Sequence, residues 1–199
     1  MADGGGSRLG RYSAGAQRPA PDALAAAADR PILAIVIAPD ILLREATPHD
    51  FAELWALDQR CFVPEIAYTS DELREAMREP EAFTLVAERG GAIVGFLVGA
   101  LDARRRGHVI TIDVVPDLRR RGLGGRLIAA AEQRWLHAGV QLVRLEVAVN
   151  NHSALAFYAR LGYRILHRLP RYYPGGLDGL SLEKTVSRRE GDGNPEPVR

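Results

Sequence analysis

The segment Thr111-Ile-Asp-Val-Val-Pro-Asp-Leu-Arg-Arg-Arg-Gly-Leu-Gly-Gly-Arg-Leu127 constrains this chain most, because it joins a β-branched strand to a helix through a basic, glycine-rich elbow. Strand character ends at Val115, and Pro116 and Asp117 open a turn. Gly122, Gly124 and Gly125 then remove side chains where the first backbone N–H groups of the next helix point outward. An elbow of this kind binds anions, and a diphosphate fits it. Arg119, Arg120 and Arg121 add positive charge at the same place, and guanidinium forks match phosphate oxygens better than ammonium groups do. The spacing is not a Walker loop, which ends Gly-Lys-Ser/Thr, nor the Gly-x-Gly-x-x-Gly of a dinucleotide fold. A solvated arginine loop is the other reading of the same residues.

Downstream, Leu142-Val-Arg-Leu-Glu-Val-Ala-Val149 reads as a strand entering Asn150-Asn-His-Ser-Ala-Leu-Ala-Phe-Tyr-Ala-Arg-Leu-Gly-Tyr163. A Leu-Glu-Val strand, an Asn, then an Ala-rich helix closing on Phe-Tyr-x-x-Leu-Gly-Tyr resembles the second half of the GCN5-related N-acetyltransferase (GNAT) family. The Arg-x-x-Gly-x-Gly elbow is similar to that family's acetyl-CoA pyrophosphate loop. With Arg171-Tyr-Tyr-Pro-Gly-Gly-Leu-Asp-Gly-Leu-Ser-Leu182, the pattern looks most like the branch that acetylates protein N-termini, including the ribosomal-protein alanine N-acetyltransferases. The resemblance covers roughly residues 41 to 185, and three motifs in order are more specific than any one.

Composition agrees with one domain carrying loose ends: 199 residues, 47% of them hydrophobic, can bury a sizeable core. Residues 39–186 are expected to form the acetyltransferase domain. The Ala/Gly/Pro-rich extension 1–38 reads as largely disordered, with an extra strand offered by the apolar run 32–37, and 187–199 reads as a disordered tail. A net charge of +1 excludes a nucleic-acid protein defined by bulk charge, so no nucleic-acid partner is expected. The single cysteine, Cys61, rules out an internal disulfide and a thiolate metal cluster, and it fits a cytoplasmic location. The five histidines show no metal spacing, so no metal is expected. The run Ala23 to Ala28 lacks a basic region before it, and Pro31 to Ala38 is too short to span a bilayer, so no membrane association is expected. A monomer or homodimer is the expected state.

The periodicities predict an α+β order. Ile41 to Arg44 reads as the first strand, and Thr47-Pro48 opens a helix whose one face carries Phe51, Leu54, Asp58 and Cys61. Ser70 is the expected cap of a second helix, stopped by Pro80. Strands at Phe83 to Glu88 and Ala92 to Leu101 form a hairpin around Gly90-Gly91, and His108 to Val115 delivers the elbow. A helix through Ala129 to Leu136, a strand from Val140 to Val149, a helix from about Ser153 to Leu161, and strands at Tyr163 to His167 and Leu177 to Lys184 complete the chain. With the resemblance, the expected fold is a mixed, mostly antiparallel sheet of about seven strands, splayed at the cofactor site, with about four helices.

The chemistry that the resemblance implies is direct transfer of an acetyl group from acetyl-CoA to an amine. Carried over residue by residue, Ile112, Asp113 and Val114 would hold pantetheine and the thioester. Arg119, Arg120, Arg121, Gly122, Leu123, Gly124 and Gly125 would hold the diphosphate, and Asn151 the cofactor's amide arm. The Val114 N–H would polarise the thioester carbonyl. Glu146 matches the family's general base, and Tyr158 the acid that protonates the departing thiolate. From the residues alone, strand alternation equally allows Glu146 to pair with Arg144, and Tyr158 to be a core aromatic. Asp113 stands where the family has a small residue, and it is a second candidate for the base.

Proton arithmetic favours a terminal amine as acceptor: near pH 7.2 an α-amine is roughly 20% neutral, a lysine about 0.06%. Tyr172 and Tyr173 match the paired tyrosines that hold the acceptor peptide's backbone, and Phe62, Pro64 and Tyr68 would line the opposite wall. The implied partner is a protein or peptide N-terminus, a ribosomal protein included. A small-molecule amine acetyltransferase and a non-catalytic CoA-binding module remain open alternatives.

Overall fold

The computed structural model describes residues 40–62 and 66–187. The expected strand at 32–37, the rest of the extension, Pro64 and the tail from 188 lie outside the described residues. The elements run β1 Leu42–Glu45, α1 Phe51–Cys61, α2 Ser70–Arg78, β2 Phe83–Arg89, β3 Ala92–Leu101, β4 Gly107–Val114, α3 Leu123–His137, β5 Leu142–Ala148, α4 His152–Arg160, β6 Arg164–Leu169 and β7 Gly179–Thr185. One seven-stranded sheet has the order β1-β2-β3-β4-β5-β7-β6. The β4–β5 pair is parallel and its neighbours are antiparallel, giving the α+β layout expected from the sequence.

Two starts differ from expectation for local reasons. A 3-10 turn, Pro48–Asp50, precedes α1, because the Asp50 carboxylate accepts both the N–H and the hydroxyl of Thr47 and also pairs with Arg44. The α2 cap is Thr69 rather than Ser70: the Thr69 hydroxyl accepts the Glu72 N–H, and the Glu72 carboxylate accepts the Thr69 N–H at 2.9 Å. That reciprocal box satisfies two groups a bare helix end leaves exposed.

The sheet buries both faces. Leu54 and Leu57 of α1 and Leu73 of α2 cover Val86, Phe96 and Val98 on one side. On the other, Leu127, Ile128, Ala131 and Trp135 of α3, with Tyr158 of α4, cover Leu85, Leu97, Val109, Val143, Leu145 and Val147. Trp135 lies flat across Gly107, where a Cβ would stand 2.7 Å from its ring, and stacks edge-on against Phe83 at 5.3 Å. No helix among the described residues is long and apolar enough to cross a membrane.

The feature that positions the site is a fork. Strands β4 and β5 pair at Gly107↔Val143 and His108↔Arg144 and then diverge. A register shift against β3 leaves Ile110 as a bulge between Val109 and Thr111, bending β4 just past that root.

Candidate active site

The fork opens into a cleft of about 1430 Å³ that runs from the elbow, past the ends of β4 and β5, to Tyr172 and Tyr173. Its floor on the β4 side is backbone. The Val115 N–H bonds to the Val94 carbonyl at 3.0 Å, so Val115 and Val94 form a hydrogen-bonded pair. Antiparallel alternation then turns the N–H and C=O of Val114 and Ile112 away from β3 and toward the gap facing β5.

At the elbow, Gly122 takes φ +85°, a left-handed turn that suits glycine, and Arg120 is also left-handed at φ +61°. The first intrahelical bond of α3 is Arg126 N–H to Gly122 C=O, which leaves the N–H groups of Leu123, Gly124 and Gly125 without helical partners. A Cβ on Gly122 would meet nothing within 4 Å, whereas one on Gly124 would meet Phe157 at 3.2 Å. The elbow is thus a concave run of N–H donors at the positive end of a 15-residue helix, as a diphosphate requires. The Arg119 side chain turns inward instead: Nε donates to the Val114 carbonyl at 2.9 Å, and Nη2 to the Cys61 carbonyl at 3.4 Å. The Asn151 side-chain oxygen caps α4, accepting the Ala154 N–H at 3.0 Å.

On β5, Val143, Leu145 and Val147 point into the α3 and α4 core, which turns Arg144 and Glu146 to the opposite face. Arg144 pairs with Glu183 across β7 at 2.6 Å. Glu146 does not join it. Its Oε2 lies 2.8 Å from Nε2 of His108, which stands at the last paired rung of β4. Both side chains are largely enclosed, 9% exposed for His108 and 14% for Glu146. With Glu146 ionised, the imidazole donates through Nε2–H and holds the carboxylate at the root of the fork. His108 sits in no metal-ligand spacing with another histidine. No local signal marks it, since only the β4–β5 register brings it to Glu146.

Tyr158 of α4 faces the cleft from the other side of the fork, against Phe157 at 5.0 Å and Tyr163 at 5.6 Å between ring centroids. Burial, above all, pushes its hydroxyl well above the ordinary tyrosine range, so it keeps its proton. Tyr163, expected to begin β6, is a core anchor: its hydroxyl donates to Glu132, which Lys184 also holds. Tyr172 and Tyr173 meet edge to face at 5.0 Å on the loop before β7. Opposite them, Phe62, Ile66 and Tyr68 line the cleft.

Asp113 faces α1 and is 1% exposed, with Thr111 Oγ1 donating at 3.4 Å to one oxygen and no partner on the other among the described residues. Burial, then the charge of Asp58, raises it well above the usual carboxylate range. An unfolded Asp ionises near pH 4, about three units below neutrality. The folded chain therefore binds more protons than the unfolded one above that pH, and this group's contribution to stability falls as pH rises. Asp113→Asn is expected to flatten the decline of Tm between about pH 5 and pH 8. An unchanged slope would mean that the carboxyl ionises within the fold.

The acetyltransferase (GNAT) family profile matches residues 51–163, which hold the fork, the elbow, Glu146 and Tyr158. The chain belongs to the acetyltransferase (GNAT) family. As a GNAT enzyme it is an acyltransferase that moves an acetyl group to an amine, and the family uses acetyl-CoA as donor. It is 36% identical over 107 residues to an uncharacterized N-acetyltransferase of Methanocaldococcus jannaschii, covering 53% of this chain and 68% of that relative. It is 32% identical over 115 residues to the catalytic subunit of the N-terminal acetyltransferase B complex of Arabidopsis thaliana, covering 56% and 66%. Its fold matches the crystal structure of the ribosomal-protein-S18-alanine N-acetyltransferase from Escherichia coli with a TM-score of 0.67 at 20% identity, covering 77% of this chain and 99% of that one.

Proposed function

We propose that this GNAT enzyme acetylates the N-terminal α-amine of a protein or peptide. The observation that carries the reading is the His108–Glu146 pair, fixed at the root of the fork between a wall of Phe62 and Tyr68 and a wall of Tyr172 and Tyr173. The two walls leave a trough open to an extended chain end, with a base at its inner end. Relatives named for N-terminal acetylation support the same reading.

Acetyl-CoA, when bound, supplies the activated thioester. The elbow N–H groups of Leu123 to Gly125, with Arg120 and Arg121, would hold its diphosphate, and the gap-facing backbone of Ile112 and Val114 would hold the pantetheine arm. Glu146 accepts the proton that the acceptor ammonium sheds, which frees the nitrogen lone pair. His108 holds that carboxylate in place through the 2.8 Å contact. Glu146 rather than Asp113, which is buried, is the base in this reading. The Val114 N–H is a preorganised donor for charge developing on the acetyl oxygen. As the new C–N bond forms and the C–S bond breaks, Tyr158, still a phenol, would give its proton to the departing sulfur, and the second proton that the nitrogen sheds as it becomes an amide returns through solvent to restore the phenol. An α-amine suits this machinery because it needs only a modest base, whereas a lysine would demand roughly three more units of proton affinity.

Tyr173→Ala tests the peptide trough separately from the chemistry. It is expected to raise KM for a peptide acceptor by about tenfold, the loss of one well-made contact, with KM for acetyl-CoA little changed. An unchanged peptide KM would remove the tyrosine wall from the acceptor site.

A further inference from the structure

Arg119 is the first arginine of the diphosphate-loop motif, yet its guanidinium bridges two carbonyls on the acceptor side of the fork. Cys61 is the last residue of α1, so its carbonyl is one of the four that a helix end leaves unpaired, and it sits at the negative end of the helix dipole. The Val114 carbonyl is likewise turned away from β3. A planar fork with donors in fixed directions suits a bridge between two such acceptors, as a point charge does not. The same helix carries what holds Tyr68: Asp58 Oδ2 accepts the Tyr68 N–H at 2.8 Å, and Gln59 Nε2 and Trp55 Nε1 donate to the Tyr68 carbonyl at 2.7 and 3.2 Å. The path Val114, Arg119, Cys61, α1, Tyr68 is therefore continuous.

We propose that Arg119 is a positioning residue for the acceptor side, latching the C-terminal end of α1 to the end of β4 and so setting how far the wall of Phe62 and Tyr68 stands from the thioester strand. Diphosphate binding then falls to Arg120, Arg121 and the elbow N–H groups. The motif's arginine couples the two substrates' sites through the backbone of β4, because the strand end that receives the thioester is the one that anchors the acceptor wall.

Cys61 gives a reporter that does not depend on turnover. It is the chain's one cysteine, lies at the latched helix end with Sγ 3.4 Å from the Val114 carbonyl, and burial pushes its thiol up. Iodoacetamide reacts with the thiolate, and opening the latch exposes the sulfur and relieves the burial that most disfavours its ionisation; Arg119→Ala also removes a cation that favours the thiolate, whereas Arg119→Lys keeps that charge and so isolates the opening. The test compares full-length wild type, Arg119→Ala, Arg119→Lys and Arg120→Ala for three quantities: the alkylation rate of Cys61, Kd for acetyl-CoA by calorimetry, and KM for a peptide acceptor. Thermal melts check that each variant is folded.

With Arg119→Ala and with Arg119→Lys, alkylation is expected to speed up about fivefold or more through local opening, while Kd for acetyl-CoA shifts by less than about twofold. Peptide KM rises by about tenfold, as one lost charge-assisted hydrogen bond implies. Arg120→Ala gives the opposite pattern, weaker acetyl-CoA binding with the alkylation rate unchanged. An Arg119→Ala protein that loses acetyl-CoA affinity by about tenfold while Cys61 reacts at the wild-type rate overturns the proposal and returns Arg119 to the diphosphate. Only the KM readout rests on the peptide-acceptor reading. If wild type acetylates no peptide, that reading fails, and alkylation and cofactor binding still decide the role of Arg119.

Discussion

Glu146→Gln is expected to lower kcat for acetyl transfer by about 10²- to 10⁴-fold, the usual worth of a positioned general base, while leaving acetyl-CoA affinity near wild type. The amide keeps the shape and the contact with His108 but cannot accept a proton. The loss should shrink as the pH of the assay is raised, because a larger share of the acceptor amine is then already neutral. Rapid-quench measurement of the chemical step, with calorimetry for the cofactor, separates the two quantities. A variant that retains kcat within a few-fold would show that deprotonation occurs elsewhere, and the His108–Glu146 pair would then be a structural tie between β4 and β5.

Gly107→Ala is expected to destabilise the fold by about 1–3 kcal/mol, and at 2–4 °C per kcal/mol for a domain of this size to lower Tm by about 2–12 °C. The added Cβ would stand 2.7 and 2.9 Å from two atoms of the Trp135 indole, so the ring or the strand must shift. Trp135 also lies against Gly99 of β3, where a Cβ would stand 2.8 Å from the ring, and it packs on Phe83. Gly107 is also the first rung of the β4–β5 pairing, so displacing Trp135 strains the strand next to His108. A calorimetric melt measures the effect, and a Tm unchanged within about a degree would mean that the indole and strand rearrange at no cost. Activity of the surviving folded fraction at low temperature shows whether the fork itself moved.

Local features of the fold were legible because local physics dictates them. The elbow announced itself through Pro116, three arginines and three glycines, and the hairpin through Gly90-Gly91 between two apolar runs. The β5 alternation correctly placed Arg144 and Glu146 on one face, but not which of them would bond to what. That choice depends on cross-strand register: Arg144 is directly opposite Glu183 on β7, and Glu146 is within reach of His108 because a parallel pairing two residues long ends there. Tyr163 read as strand from its β propensity, yet its hydroxyl is drawn under α3 to Glu132. Ser70 and Thr69 are equally good caps by residue type, and Glu72 decided between them by its spacing. The direction of the Arg119 side chain was hidden for the same reason as His108. A run of arginines before a glycine loop says that charge is present, and only the return of α1 over the end of β4 brings the Cys61 carbonyl beside that of Val114, the two that claim the first of them.

The most direct test of the account is to incubate the full chain with acetyl-CoA and short peptides varied at positions one and two, alongside N-blocked peptides bearing lysine and a set of polyamines, and to locate the added acetyl group by mass spectrometry. The account predicts acetylation confined to the α-amine, with selectivity among first residues. Transfer to lysine or polyamine with the free α-amines untouched would contradict it.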